Sequence, residues 1–147
     1  MSQPLSRLPF LLQRIDHVVF RVKDLHRSVD FYQRVLGCSV AKVQAHLGLV
    51  HLKAGASMID LISLDGALGR QGGAGPAPTA RNVEHVCLRI DPFDEADLIA
   101  HLARHAVSPT GKAMVNFGAE GDGLSLYFAD PDGNRIELKG PATGRQP

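Results

Sequence analysis

Ile15-Asp16-His17-Val18-Val19-Phe20-Arg21-Val22 returns 68 residues later as Val83-Glu84-His85-Val86-Cys87-Leu88-Arg89-Ile90. Both stretches carry an acid and then a histidine, an apolar run, an arginine and a closing apolar residue. Apolar and β-branched residues dominate them, which predicts a strand in each case. Each half of the chain also closes on an apolar strand with a carboxylate at its centre. These are Ser57-Met58-Ile59-Asp60-Leu61-Ile62 and Asn134-Arg135-Ile136-Glu137-Leu138-Lys139. Packing alone gives no reason to repeat two histidines and two carboxylates in register. The pattern implies a duplicated module that brings four ligand-type side chains to one place.

Working outward from the first repeat, Asp24 stands where a helix N-cap is wanted. Leu25, Val29, Tyr32 and Val35/Leu36 follow at helical spacing, and Gly37 supplies the left-handed stop. Three short strands are expected next, over 39–45, 49–53 and 58–63, so the module reads βαβββ. Residues 65–82 are rich in glycine and proline and poor in large apolar side chains, the composition of a flexible linker. The order then repeats: a strand over 83–90, and a helix over 92–105 with Phe93, Ala96, Ile99 and Ala103 on its inner side. A break at Gly121-Asp122-Gly123 precedes a strand over 124–128. Asp130-Pro131-Asp132-Gly133 is a tight turn before the last strand. From Pro141 onward a loose tail is expected.

The prediction is an α+β protein of one domain, with module one at 14–64, a linker at 65–82 and module two at 83–140. Neither four-stranded module covers both faces of its sheet alone. Together they are expected to make a curved eight-stranded mixed sheet with helices behind it and an open cleft in front.

With 147 residues and a formal net charge of +1, the chain has the size and balance of an ordinary globular domain. No Lys/Arg cluster offers a surface for nucleic acid. No stretch has the length and apolarity of a membrane span, and Met1–Gln13 contains no signal-type apolar run. A cytoplasmic location is the expectation that follows, with Cys38 and Cys87 as buried reduced thiols.

Side chains two apart share one face of a strand, so His17, Val19 and Arg21 point together, as do His85, Cys87 and Arg89. Glu137 shares its face with Lys139, and Asp60 shares its face with Met58 and Ile62. An ionisable group in mid-strand must find a partner. Two imidazoles and two carboxylates suit a divalent cation such as Zn, Ni, Co, Mn or Fe. His46 and His51 flank a turn, while His101 and His105 suit a solvated helix face. The serines have no convincing His/Asp partners, so a hydrolase triad is not supported.

Ile15-Asp16-His17-Val18-Val19, Ser28-Val29-Asp30-Phe31-Tyr32 with Val35-Leu36-Gly37, and Asp130 through Leu138 together resemble the vicinal oxygen chelate superfamily. It includes glyoxalase I, fosfomycin thiol transferases, extradiol dioxygenases and methylmalonyl-CoA epimerase. The resemblance implies His17, His85 and Glu137 as metal ligands. Asp60 falls at the fourth ligand place, one methylene shorter than the Glu of bacterial glyoxalase I. Arg21 falls where glyoxalase I holds a glutathione carboxylate, whereas Leu64 replaces an asparagine that serves the same substrate. Lys139 and Tyr127 are further candidates for contact with substrate. Asn116 through Tyr127, with its glycines, reads either as a loop at the cleft rim or as an ordinary hairpin.

By that resemblance the function is a metal-dependent, glyoxalase-like lyase or isomerase. It would act on a small carbonyl substrate or thiol adduct through a metal-stabilised enediolate, with Glu137 as the catalytic base. Two alternatives stand beside it. One is a non-haem iron dioxygenase of extradiol type, in which Tyr127 and His51 are candidate acid/base groups. The other is a metal-free binding protein for a small antibiotic. A homodimer is implied as well, with the cleft within one chain or shared between two.

Overall fold

The computed structural model describes residues 13–143. The absence of a signal-type run in residues 1–12 and the last residues of the tail, 144–147, lie outside it. Module one runs β1 (His17–Val22), α1 (Leu25–Leu36), β2 (Ser39–Gln44), β3 (Leu49–Ala54) and β4 (Ser57–Ser63). Module two runs β5 (Val86–Arg89), α2 (Glu95–Arg104), β6 (Met114–Gly118), β7 (Gly121–Ala129) and β8 (Arg135–Lys139). The eight strands form two mixed sheets of four, ordered β1-β4-β3-β2 and β5-β8-β7-β6. In each module the first strand pairs in parallel with the last, as a βαβββ connection requires.

The helix boundaries follow from their caps. Asp24 accepts from the Arg27 amide at 2.9 Å, and Gly37 ends α1 at φ 69°. In α2 the cap is Asp94, which accepts from the Asp97 amide at 2.9 Å, so the helix starts later than the predicted 92. The predicted inner side of α2 is also corrected. Leu102 is fully buried and Leu98 packs against the core, while Ala96, Ile99 and Ala103 face outward. Phe93 precedes the cap, so it packs on the core without belonging to the helical stripe.

One core joins the modules. Phe20, Val22, Tyr32, Leu52, Ile59 and Leu61 of module one pack in the same cluster as Leu102, Leu126, Phe128, Ile136 and Leu138 of module two. The β7–β8 turn seals this junction. Asp130, buried, accepts from the Tyr32 hydroxyl at 2.7 Å and from the Asn134 and Asp132 amides. Asp132 accepts from the Lys23 amide at 3.1 Å and the Ser28 hydroxyl at 3.3 Å. Burial, then the Asp130 carboxylate, push the Tyr32 phenol well above its ordinary pKa.

The 65–82 linker is more ordered than its composition suggests. It contains a short 3-10 turn at Gly69–Gly72, and its carbonyls close around Arg21. The guanidinium donates to Gly69 through Nε (3.1 Å) and Nη2 (2.9 Å), to Gly73 (2.6 Å), and to Gly72 and Ala74 (3.0 and 3.1 Å). Glycine is needed here for proximity: a Cβ at Gly69 would lie 1.8 Å from the Ser63 carbonyl, and one at Gly72 2.4 Å from the guanidinium. The expected tail after Pro141 also begins bound, with the Thr143 amide donating to the Asp122 carbonyl at 2.8 Å. Among the described residues no helix is long and apolar enough to cross a membrane.

Candidate metal centre

Alternation along β1 turns Phe20 and Val22 into the core and leaves His17, Val19 and Arg21 on the opposite face. On that face Asp60 of β4 is in register with Val19 of β1 and His51 of β3. Module two repeats the plan. Glu137 of β8 is in register with Cys87 of β5 and Tyr127 of β7, and His85 lies two residues before Cys87. The two halves therefore present equivalent grids: His17, Val19, Asp60 and His51 against His85, Cys87, Glu137 and Tyr127.

The acids that precede the two histidines have a clear geometric role. His17 Nδ1 lies 2.7 Å from Asp16 Oδ1, and His85 Nδ1 is bonded to Glu84. A carboxylate only accepts, so each Nδ1 carries the proton and each Nε2 is left with a lone pair. Such carboxylate–histidine pairs fix ring orientation and raise ligand basicity at metal sites. The Asp16 hydrogen bond, opposed by desolvation and helped by Asp60, raises the His17 pKa. In module two His85 Nε2 lies 3.6 Å from Glu137 Oε1. Glu84 also pairs with Arg135, whose guanidinium sits 5.1 Å from the centre of the Tyr127 ring.

Both carboxylates are buried although the face around them is open: Asp60 is 6% exposed and Glu137 5%. Glu137 is enclosed by donors. Tyr127 bonds Oε1, and Cys87 (2.9 Å) and Ser125 (3.2 Å) bond Oε2. Burial works to raise the Glu137 pKa. The three hydrogen bonds, from Cys87, Tyr127 and Ser125, outweigh it and hold the carboxyl below the usual range. Asn116 donates to the Tyr127 oxygen at 3.0 Å, extending the network to β6.

Asp60 has no such shell. Gln44 donates to His51 Nε2 at 2.8 Å, which places the ring proton on Nδ1. That Nδ1 lies 3.0 Å from Asp60 Oδ1 but is misaligned for a hydrogen bond. Oδ1 is thus a buried acceptor without a hydrogen-bond partner, the state of a carboxylate oxygen that a cation would complete.

The donor chemistry fits a divalent ion as two half-sets, each an imidazole and a buried carboxylate on one sheet face, with a 3.6 Å approach of Nε2 to the carboxylate in module two. The structure does not join them. The cavity beside Glu137, about 510 Å³, is lined by module two alone, from His85, Cys87, Arg89 and the β6–β7 hairpin to Lys139. Among the described residues no three His, Cys, Asp or Glu side chains form a group that could hold an ion. The sequence pattern points to convergence of four ligands; one chain supplies two pairs.

The remaining candidates are sorted by the same geometry. Arg21 is engaged by linker carbonyls, while its counterpart Arg89 lines the cavity. Tyr127 and Lys139 also line it. Residues 116–127 form a hairpin, β6 to β7, in which Gly118 pairs with Gly121 across Ala119-Glu120. Cys38 is buried as expected, but Cys87 is exposed as a residue because position 87 falls on the open face. Shielding of its sulfur, then the Glu137 carboxylate, raise the Cys87 thiol to about 12. The sequence offers His51 as a turn-flanking residue and an acid/base candidate of the dioxygenase alternative, whereas register across β3 and β4 sets it against Asp60.

The family described as the Glyoxalase/Bleomycin resistance protein/Dioxygenase superfamily matches residues 14–138. Virulence protein STM3117 of Salmonella typhimurium is 28% identical over 132 residues, covering 89% of this chain and 86% of that one. Its crystal structure superposes with a TM-score of 0.73, covering 90% of this chain and all of the other. Glyoxalase domain-containing protein RDO1 of Mycosarcoma maydis is 33% identical over 127 residues, 86% of this chain and 68% of its own. The mitochondrial methylmalonyl-CoA epimerase of Homo sapiens is 25% identical over 146 residues, 94% of this chain and 81% of its own.

Proposed function

The chain belongs to the Glyoxalase/Bleomycin resistance protein/Dioxygenase superfamily, and from that premise we propose that it is a metal-dependent lyase or isomerase of small oxygenated substrates. His17, Asp60, His85 and Glu137 would hold the ion. The observation that carries the reading is the twice-built arrangement of an acid on Nδ1, a free Nε2 and a buried carboxylate on the same sheet face. The presence of an epimerase among the relatives supports proton movement over oxygenation. Once bound, the ion supplies Lewis acidity to two adjacent substrate oxygens.

The chain's own residues do the rest. Glu137 Oε1 is the base that takes a proton from the substrate carbon and returns it to the neighbouring one. Its lowered pKa keeps it ionised at neutral pH, and Tyr127 holds Oε1 in place until the proton arrives. Asn116 fixes the Tyr127 hydroxyl in turn. Asp60, with Oδ1 free of hydrogen bonds, serves as a ligand and moves no proton.

Since the two pairs do not meet within one chain, we propose that the active unit is a homodimer. His17 and Asp60 of one copy would face His85 and Glu137 of the other. The open faces and the outward Val19 and Phe117, the latter 84% exposed, suit burial against a second copy.

The reading is tested on protein purified without chelator, by elemental analysis and by thiol-dependent loss of methylglyoxal hemithioacetal. A stoichiometric divalent ion with turnover is expected. A stoichiometric ion with oxygen uptake on catechols instead would move the protein to the dioxygenase class, and no ion would reject the metal reading.

A further inference from the structure

We propose that the module-two cavity has an anion-binding end, formed by Lys139 and Arg89, which selects substrates that carry a carboxylate or phosphonate group. The inference rests on the functional reading above for the position of the reacting end. It deepens that reading by stating what lies at the other.

Lys139 carries the argument. It is 6% exposed, yet its ammonium donates only to the Gly121 carbonyl, at 3.0 Å, and no carboxylate among the described residues lies within ion-pairing distance. A buried cation without a counter-charge is costly, so a fold that retains one has a use for its charge. The hairpin is shaped around it: a Cβ at Gly118 would lie 2.8 Å from Lys139 Cε, and one at Gly123 2.7 Å from Nζ. Glu137, two residues away, makes no ion pair with it, and its oxygens accept instead from Tyr127, Cys87 and Ser125.

Arg89 is in register with Lys139 on the adjacent strand, and both line the cavity. Its guanidinium is held by Glu120, an exposed acid on the two-residue hairpin turn. That carboxylate occupies the place a substrate anion would take. The register puts this cationic end two residues from the Cys87–Glu137 level, about 7 Å along the sheet. A substrate with two vicinal oxygens and an acid group two or three carbons away spans that distance.

The test uses Mn(II)-loaded protein and three hydroxamates, titrated calorimetrically: acetohydroxamate, succinic monohydroxamate and 3-phosphonopropanohydroxamate. The acid-tailed ligands are expected to bind about 10- to 100-fold more tightly than acetohydroxamate, the range of a charge-assisted contact. Arg89→Gln and Lys139→Met should each reduce that preference, while Glu120→Gln, a surface change, should increase it a few-fold by removing the competing carboxylate. The tail that gains more identifies the physiological anion. Equal affinity for all three, or a preference that survives Arg89→Gln and Lys139→Met, overturns the proposal. If no hydroxamate binds, the metal reading has failed, and metal-free protein decides the anion end. Methylphosphonate or propionate should then shift the side-chain NMR signals of Arg89 and Lys139 in the wild type, and absence of a shift overturns it.

Discussion

Arg21 and Arg89 occupy the same place in their modules, four residues after the histidine, and the fold uses them for opposite purposes. In module one the guanidinium is bound by linker carbonyls, so its donors are already taken although it too borders a cavity. In module two the equivalent arginine borders a cavity and is countered only by an exposed glutamate. The carboxylates diverge in the same sense. Asp60 has a short side chain, one histidine at its edge and an unbonded oxygen. Glu137 is longer and is met by a phenol, a thiol and a hydroxyl. The two carboxylates have thus diverged in their surroundings; under the proposed function the first would serve as an anchor for the ion and the second as the substrate-facing half.

This division of labour makes Glu137 and Asp60 unequal. Glu137→Gln should lower turnover by about 10²- to 10⁴-fold, the usual weight of a positioned base, with the ion still bound more weakly. Asp60→Asn should act mainly through ion affinity and recover much of its activity at saturating metal. Equal kcat losses at saturating metal would show that the two modules share the chemistry.

The acids behind the histidines should be alike in kind and graded in size. Asp16→Asn and Glu84→Gln should each weaken ion binding by about 10- to 100-fold, measured by competition with a chelating dye. Glu84 should be the more costly because it also holds Arg135.

The third comparison concerns the seam between the modules. Tyr32→Phe removes the donor to the buried Asp130 and should cost about 1–3 kcal/mol in denaturant unfolding. The pH dependence has a definite sign. The folded-state pKa of Tyr32 lies above the ordinary phenol value of 10.0, so its contribution to stability is complete below that value. It is lost as pH rises from there towards the folded pKa, because the unfolded chain ionises first. The variant should lack this alkaline loss.

The smallest effect concerns how each helix stops. Gly37 ends α1 at φ 69°, whereas Ala106 follows α2 at φ 57° with a side chain that disfavours the left-handed region. Ala106→Gly should therefore raise stability by about 0.5–1 kcal/mol in thermal unfolding. A loss instead would mean that the methyl group packs in a way its exposure does not suggest.

Much of this was legible before any coordinates. The Ile15–Val22 and Val83–Ile90 repeat has strand chemistry, and Asp24 and Gly37 are specific enough to bound α1. The mid-strand placing of Asp60 and Glu137 marked the carboxylates. What stayed hidden depends on register and on packing between distant segments. His51 meets Asp60, and Tyr127 meets Glu137, only through antiparallel pairing. The glycines of 65–82 read as freedom, but at Gly69 and Gly72 they allow backbone to approach Ser63 and Arg21. Ile99 looked inward because the α2 stripe was phased from Phe93, which lies before the Asp94 cap. Asp130 and Asp132 read as turn residues, and a local pattern cannot reveal that they also bind α1 from the other module.

The central claim is that His17 and Asp60 of one copy complete the site begun by His85 and Glu137 of another. The most direct measurement is complementation: His17→Ala and Glu137→Gln chains, each deficient alone, are unfolded, mixed in equal amounts, refolded together and assayed for bound ion and turnover. If the site is shared, each mixed dimer contains one intact set of ligands, and about a quarter of the wild-type activity should return. If the mixture dimerises and nothing returns, the four ligands are not shared between copies and the account is contradicted.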